Sequence, residues 1–191
     1  QFFETVVSKA GRLDILVNNA VSSLHAPFAE QTDDHWRHHL DVKLMAYIRA
    51  ARMAIAHMRA SGGGRIVNVG GMTARIVTPI RITNGVVNAG VANFTKQLSA
   101  QIGADGITVN CVHPGFTATE RMMNGTRRRA ADSDISEDEE IARMVSSIPL
   151  GRLVAPQDIA NMVLFFCSPL ASMVTGQSIA VDGGSAESIN Y

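Results

Sequence analysis

The sequence lacks an excess of charge of either sign, because 17 basic and 17 acidic side chains leave a formal net charge of zero. The basic face of a nucleic-acid-binding protein and the cationic patch of a membrane-surface protein are therefore not expected. It also has no apolar run of the roughly 18 residues that a membrane span needs, and its first residues lack the order of a secretion signal. We expect a cytoplasmic protein that binds neither nucleic acid nor membrane.

Cysteine is scarce as well. Cys111 and Cys167 each lie in an apolar stretch, with no second thiol or histidine at metal-ligand spacing. We expect two buried free thiols and no zinc site. What the chain does have is length and apolar content: 191 residues, 46% of them hydrophobic, suffice for the core of one domain.

Short apolar runs alternate with segments of helical periodicity along most of the chain. Strands are predicted at 13–18, 65–69, 107–112 and 178–181, and helices at 1–11, 33–61 and 84–102 and after Pro156. Strands that alternate with helices predict a parallel sheet with helices on both faces, a three-layer α/β/α arrangement. If the strands follow their order in the chain, 13–18 forms an edge with unpaired backbone groups.

Two glycine- or charge-rich segments have simpler interpretations. Gly62–Gly64 ends a helix and precedes a strand, whereas a phosphate-binding loop follows a strand and opens a helix, so a turn is predicted. Within 116–148, the arginines at 127–129 precede acidic residues from 132 to 140, a pattern typical of a solvated surface. The position of 116–148 favours a mobile flap beside a substrate pocket.

Five segments resemble the short-chain dehydrogenase/reductase family. They are DILVNNA at 14–20, GRIVNV at 64–69, GITVNCVHPG at 106–115, PLGRL at 149–153 with DIA at 158–160, and TGQ at 175–177 with VDGG at 181–184. The resemblance implies a doubly wound Rossmann-type sheet in a single partial domain, 1–191. Family members place a Gly-rich turn and two further strands before this segment, so the fold is expected to be incomplete in its N-terminal half. A longer native polypeptide or a partner chain would then cover the edge strand.

The resemblance also implies four catalytic positions: a serine, a tyrosine, a lysine one helical turn later, and an asparagine. In this sequence they fall on Gly71, Asn84, Asn88 and Lys43, respectively. An amide neither ionises nor shuttles protons near neutral pH. The family's usual proton-coupled hydride transfer is therefore not expected from these four residues.

Two other side chains are candidates for the missing chemistry. Lys43 would contact a cofactor ribose or a substrate oxygen electrostatically; the alternative is a solvated or helix-paired lysine. His113 would act as an acid or base because imidazole titrates near pH 7. The alternative for His113 is a loop histidine with a backbone partner.

The cofactor implied by the resemblance is NAD or NADP. Asn19 and Ala20 match family positions on the adenosine side, where Val21 replaces the next glycine. The positions around the nicotinamide fall on Val69, Pro114, Gly115 and Thr119. These residues are equally explained as a strand end and a tight turn.

The resemblance implies an NAD(P)-dependent oxidoreductase acting on a carbonyl or alcohol of a small molecule, here with an atypical site. Two alternatives remain open: a nucleotide-binding or oligomer-forming relative without turnover, and non-redox elimination or isomerisation with His113 or Lys43 as base. Relatives pair the helices corresponding to 33–61 and 84–102, which implies a homodimer or homotetramer. Small residues expected to be exposed there, including Ala54, would permit close helix approach.

Overall fold

A computed structural model describes residues 2–187 and contains one parallel sheet of four strands. The strands are β1 (Ile15–Asn18), β2 (Gly64–Val69), β3 (Ile107–Pro114) and β4 (Ser178–Val181), adjacent in that order. All three pairings are parallel, as the alternation of strands and helices predicted. The predicted domain also included residues 1 and 188–191, which lie outside the described residues.

Helices cover both faces of the sheet. They are α1 (Phe2–Ala10), α2 (Asp33–His39), α3 (Ala46–Ala60), α4 (Ile82–Ile102), α5 (Glu120–Asp132), α6 (Glu137–Ser146) and α7 (Pro156–Cys167). On one face α1, α3 and α4 pack around Ile66 and Val109. On the other, Phe166 of α7 packs against Val67 and Val112. Adjacent strand residues face opposite layers, which is why apolar residues occur on both faces of these parallel strands. The three-layer α/β/α prediction is confirmed.

The long predicted helix at 33–61 is interrupted by one wider turn. Between α2 and α3, residues Leu40–Met45 form a π-helical turn, in which the Ala46 N–H donates to the carbonyl of Asp41. Such a turn accommodates one extra residue within an α-helix. Lys43, at its centre, is buried.

A chain of polar side chains runs through the apolar interior. The Asn18 amide donates to Asn68 Oδ1 at 2.8 Å, and the Asn68 amide donates to Thr95 Oγ1 at 2.9 Å. The Thr95 hydroxyl in turn donates to the Val91 carbonyl at 2.8 Å. Because each of these side chains has a partner, they can be buried without the cost of unpaired polar groups, and they link β1, β2 and α4.

Three exposure predictions have different outcomes. β1 is an edge strand as expected, with Ile15 46% and Val17 42% exposed. Ala54 was expected at the surface but is fully buried, because this side of α3 faces the sheet. Cys111 is a buried free thiol as predicted, whereas Cys167 is only partly buried, near the end of α7.

The charged segment 116–148 contains two helices that sequence periodicity did not predict. Arg127 of α5 bonds to Glu137 at 3.2 Å, and Arg129 bonds to Glu140 of α6 at 2.7 Å. The charged side chains of segment 116–148 therefore connect α5 to α6, in addition to facing solvent. The Ser136–Glu139 capping box was the sequence signal that could have located the start of α6. Mobility of this segment stays a prediction.

Within residues 2–187, no helix is both long and apolar enough to cross a membrane. The same residues bring together no group of three histidine, cysteine, aspartate or glutamate side chains suited to a metal ion.

Candidate active site at the carboxyl ends of the strands

Lys43 lies beneath the end of β2. Its side chain is buried, the residue being only 5% exposed, and Nζ donates to the Gly70 carbonyl at 2.8 Å. Within residues 2–187 it has no carboxylate partner, so it is neither solvated nor paired with an acid on its helix. An ammonium group has three N–H donors, so two remain for other acceptors. Burial lowers the pKa of Lys43 from 10.5 to about 8.

Tyr47 lies one helical turn after Lys43, and sequence reasoning gave it no role. Its hydroxyl lies 2.9 Å from the Ala20 carbonyl and 3.0 Å from the Val69 carbonyl, so its single proton is shared between the ends of β1 and β2. The ring is 1% exposed, and burial raises the pKa of the phenol above its ordinary value. Tyr47 therefore ties two strand ends together. The i, i+4 spacing from Lys43 was the signal that could have found it.

His113 lies near the end of β3, under the backbone of Gly70 and Gly71. Its Nδ1 is 3.1 Å from the Gly71 nitrogen and 3.0 Å from the Gly71 carbonyl, and Nε2 is 3.6 Å from Cys111 Sγ. The ring has no exposed surface. Burial, with a smaller effect of the Arg75 charge, lowers the pKa of His113 to about 4. The imidazole is therefore neutral at pH 7, and its role as an acid or base stays a prediction.

Gly71 and Asn88 meet on the floor of the site. A Cβ atom at Gly71 would lie 2.6 Å from Asn88 Nδ2, so the lack of a side chain leaves room for this amide. Asn88 Nδ2 donates to Thr73 Oγ1 at 2.8 Å. Asn88 Oδ1 is buried and has no hydrogen-bond partner in the described part of the chain. It is an acceptor that a ligand N–H or O–H could satisfy.

Asn84 lies one turn before Asn88 on α4, as the spacing predicted, but its amide is engaged elsewhere. Nδ2 donates to the Ser22 carbonyl at 3.1 Å, and Oδ1 accepts from the Leu24 N–H at 3.4 Å. Both ends of the amide thus hold the loop that follows β1 against the first turn of α4.

The predicted cofactor residues lie along one edge of the sheet. Asn19 and Ala20 follow β1 and are exposed, Val69 ends β2, and Pro114 and Gly115 lie at the end of β3. Thr119 caps α5, its Oγ1 accepting from the Met122 N–H at 3.3 Å, which leaves the hydroxyl proton free to donate. Ligands of open parallel sheets bind at this carboxyl edge. Val21 is 50% exposed beside it.

Gly115 is expected to tolerate no side chain. A Cβ atom there would lie 2.7 Å from the Asp182 Cα. Asp182 cannot retreat easily, because its carboxylate accepts from the Gly184 and Ala186 N–H groups at 3.0 Å each. We expect Gly115→Ala to lower the free energy of unfolding, measured in urea, by about 1–3 kcal/mol.

The matched control for Gly115 is Gly103→Ala. Gly103 has helical backbone angles and nothing within 4 Å of an added Cβ. That change is expected to stabilise the protein by about 0.5 kcal/mol, because alanine gives the unfolded chain less conformational entropy than glycine does. Equal stability of the two variants would contradict the close approach at Gly115.

Two surface hollows, of about 340 and about 280 Å³, open at the opposite edge, near the amino ends of the strands. Arg65 and Gly106 line both. None of the predicted site residues lines either hollow. The predicted site residues therefore lie away from both hollows, toward the carboxyl edge of the sheet.

Comparison with known proteins gives consistent similarities over nearly the whole chain. Residues 1–186 match a family model described as enoyl-(acyl carrier protein) reductase. The NADPH-dependent reductase BacG of Bacillus subtilis is 33% identical over 187 residues, 98% of this chain and 72% of the relative. The 3-oxoacyl-[acyl-carrier-protein] reductase FabG of Vibrio harveyi is 31% identical over 183 residues, 95% of this chain and 70% of the relative.

Solved structures agree with this similarity. The NADPH-dependent reductase YwfH, involved in bacilysin biosynthesis, superposes with a TM-score of 0.92 at 32% identity, covering 98% of this chain and 72% of that one. L-sorbose reductase from Gluconobacter frateurii, complexed with NADPH and L-sorbose, gives a TM-score of 0.93 at 29% identity, with the same coverage.

Proposed function

The chain belongs to the short-chain dehydrogenase/reductase family, and on that premise we propose that it is an NAD(P)-dependent oxidoreductase acting on a carbonyl or alcohol group of a small molecule. The resemblance implies an atypical site, in which Gly71, Asn84 and Asn88 take the positions of the family's serine, tyrosine and lysine. The observation on which the proposal rests is the buried Lys43 ammonium at the end of β2, with two N–H donors left after its bond to Gly70.

The residues present fit a nicotinamide cofactor. Asn88 Oδ1 is a buried acceptor without a partner in residues 2–187, and the Thr119 hydroxyl has a free proton, which together suit the mixed donors and acceptors of a ribose or carboxamide. Val69, Pro114 and Gly115 would line the nicotinamide side. Asn19 and Ala20 would line the adenosine side.

Lys43 would supply the proton that this chemistry needs. When bound, the cofactor would supply the hydride chemistry at the substrate carbon. In reduction, Lys43 Nζ gives its proton to the carbonyl oxygen and then regains one from solvent; in oxidation it accepts the proton of the alcohol. A pKa of about 8 suits both directions near neutral pH, since general acids and bases work best when their pKa lies close to the working pH.

His113 and Tyr47 would act as positioning residues. Both rings are buried; Tyr47 bonds to the backbone at the ends of β1 and β2, and His113 bonds to the backbone of Gly71, just after β2. His113 holds Gly71, and Tyr47 holds Val69, so together they fix the backbone segment from which Gly70 accepts the Lys43 bond.

A specific observation favours a second candidate, a nucleotide-binding relative without turnover. The Asn84 amide is bonded at both ends to the backbone of Ser22 and Leu24, which is a structural role at the position that the resemblance assigns to the family's tyrosine. In that case Lys43 would bind the cofactor without giving up a proton.

Calorimetric titration with NADH and NADPH, followed by absorbance assays with a panel of ketones and aldehydes, separates the two candidates. We expect at least one of the nucleotides to bind, and its absorbance at 340 nm to fall when a panel carbonyl is added. Binding without turnover over the whole panel would favour the second candidate, and no binding of either nucleotide would contradict both.

A further inference from the structure

The smaller of the two hollows at the amino edge of the sheet is lined by hydrogen-bond donors. Its volume is about 280 Å³, and its one charged residue is Arg65 of β2. Three residues with hydroxyl groups line it as well, Thr108, Ser172 and Thr175. Among the residues that the structure describes, no acidic one lines this hollow. The hollow thus offers a positive charge and hydroxyl groups, with no carboxylate of the protein to neutralise them.

Arg65 and Thr108 are neighbours on the sheet. They are paired in the register of β2 and β3, the two central strands. Residues paired in this way point to the same face of a sheet, because side chains alternate between the faces along each strand. Thr108 is 8% exposed and Arg65 is half-buried. The positive charge and one of the hydroxyl groups are therefore held side by side by the most rigid part of the fold.

Each of these two side chains has a buried polar atom without a hydrogen-bond partner in residues 2–187. The atoms are Arg65 Nε and Thr108 Oγ1. Arg65 Nη1 donates to the Gly64 carbonyl at 2.9 Å, so one edge of the guanidinium group is anchored to the backbone. The other edge, formed by Nε and Nη2, makes no hydrogen bond within the described residues. A carboxylate binds such an edge through two parallel hydrogen bonds, which would satisfy the buried donor.

The segment after α7 completes the lining. Thr175 Oγ1 accepts from the Val109 N–H at 3.0 Å, which attaches this segment to β3 and leaves the hydroxyl proton of Thr175 available. Met173 also lines the hollow, and it is 94% exposed. Methionine side chains adapt to apolar ligands of varied shape. Donors on the sheet are therefore combined with a flexible apolar side chain.

A set of donors without an acidic side chain favours a ligand that has only acceptors. An ionised carboxylate is such a group, and its two oxygens can accept from a guanidinium edge and from hydroxyl groups at the same time. The volume of about 280 Å³ lies just below the range of about 300–1,000 Å³ that is typical of pockets for drug-sized ligands, so the ligand is small. Met173 would contact a short alkyl chain.

We propose that the hollow lined by Arg65, Thr108 and Thr175 is a second binding site of this protein, for the carboxylate of a small aliphatic acid. None of the predicted active-site residues lines it. The inference therefore does not depend on the proposed function, and it can be tested without a nucleotide or a redox substrate.

The first test measures butanoate binding to the full chain by saturation-transfer NMR. The titration is repeated with Arg65→Gln and with Arg128→Gln, whose arginine lies exposed on α5 and lines neither hollow. We expect Arg65→Gln to weaken binding by about tenfold or more, because it removes the charged fork, and Arg128→Gln to leave it within a factor of about two. Equal affinities in the two variants, or no binding of butanoate to the unmodified chain, would overturn the site.

The second test removes the hydroxyl of Thr108 and keeps its shape, in Thr108→Val. The matched control is Thr83→Val, because the Thr83 hydroxyl is also buried without a partner in residues 2–187 but lines neither hollow. We expect Thr108→Val to weaken butanoate binding by about threefold or more, and Thr83→Val to leave it unchanged. Neither variant should have a lower urea midpoint without ligand, because neither hydroxyl has a bond to lose. Unchanged butanoate binding in Thr108→Val, or a lower midpoint in that variant alone, would count against the proposal.

The third test addresses the charge of the ligand and the place where it binds. Butanamide has the same alkyl chain and no charge, and we expect it to bind about tenfold or more weakly than butanoate. Lys43→Met changes the opposite edge of the sheet and should keep the butanoate affinity within a factor of about two. The site is contradicted if butanamide binds as tightly as butanoate, or if Lys43→Met loses butanoate binding and Arg65→Gln does not. Either result would leave the oxidoreductase proposal intact.

Discussion

Turnover is expected to fall by about a thousandfold when Lys43 is replaced by methionine, the range typical of removing a general acid. Methionine has a similar length and no charge, and it fits the buried position of Lys43. The same mechanism predicts the pH profile of the unmodified enzyme in the direction of carbonyl reduction. The rate should be level below the Lys43 pKa of about 8 and fall as pH rises above it, because the deprotonated amine cannot donate. The measurement is NADPH consumption with the panel carbonyl that is reduced fastest, from pH 6 to pH 10.

The control for this prediction is Lys96→Met, which changes an exposed lysine of α4. Nucleotide affinity is measured on both variants, so that a loss of binding can be separated from a loss of chemistry. If Lys43→Met reacts within about threefold of Lys96→Met, or if its rate keeps the same decline above pH 8, Lys43 does not provide the proton.

The stability of the protein is also expected to depend on Lys43, in a direction fixed by its pKa. The unfolded chain holds the Lys43 proton up to pH 10.5, whereas the folded protein releases it near pH 8. Between these values the unfolded state binds more protons, so the free energy of unfolding rises with pH. The difference between the unmodified protein and Lys43→Met should grow by about 2.5 kcal/mol in favour of the unmodified protein between pH 7 and pH 10. Urea unfolding at each pH measures it.

The comparison with Lys43→Met is needed because Cys111 has the opposite effect. Burial raises the pKa of this thiol from 9 to about 11, so its contribution to stability is lost as pH rises from 9 to 11. Cys111 is present in both proteins, and its contribution largely cancels in the difference. A difference that stays constant from pH 7 to pH 10 would mean that Lys43 is solvated in the folded protein.

The sheet was predictable because its two central strands, β2 and β3, are buried on both faces. Short segments dominated by apolar and β-branched residues, such as 107–112, are typical of buried parallel strands, and β4 was predicted with the bounds that the structure gives, Ser178–Val181. The order of the strands followed from their order in the sequence. The amides at Asn84 and Asn88 were correctly placed one turn apart on the same helix.

The environment of the site could not be predicted in the same way. Lys43 is buried against Gly70, which lies 27 residues away in the sequence. The loop after β1 is held against α4 by a hydrogen bond between the Leu24 N–H and Asn84 Oδ1, 60 residues apart in the sequence.

The wider turn at Leu40–Met45 makes the two parts of the long helix depend on one surplus residue. Removing a single amino acid there would restore a regular helix and rotate everything on one side of it by about 100° about the axis. Tyr47 lies after that turn and the polar residues of α2 lie before it, so a deletion could not keep both in place. Substitutions can vary the chemistry of this region gradually, but a change in length would alter it all at once.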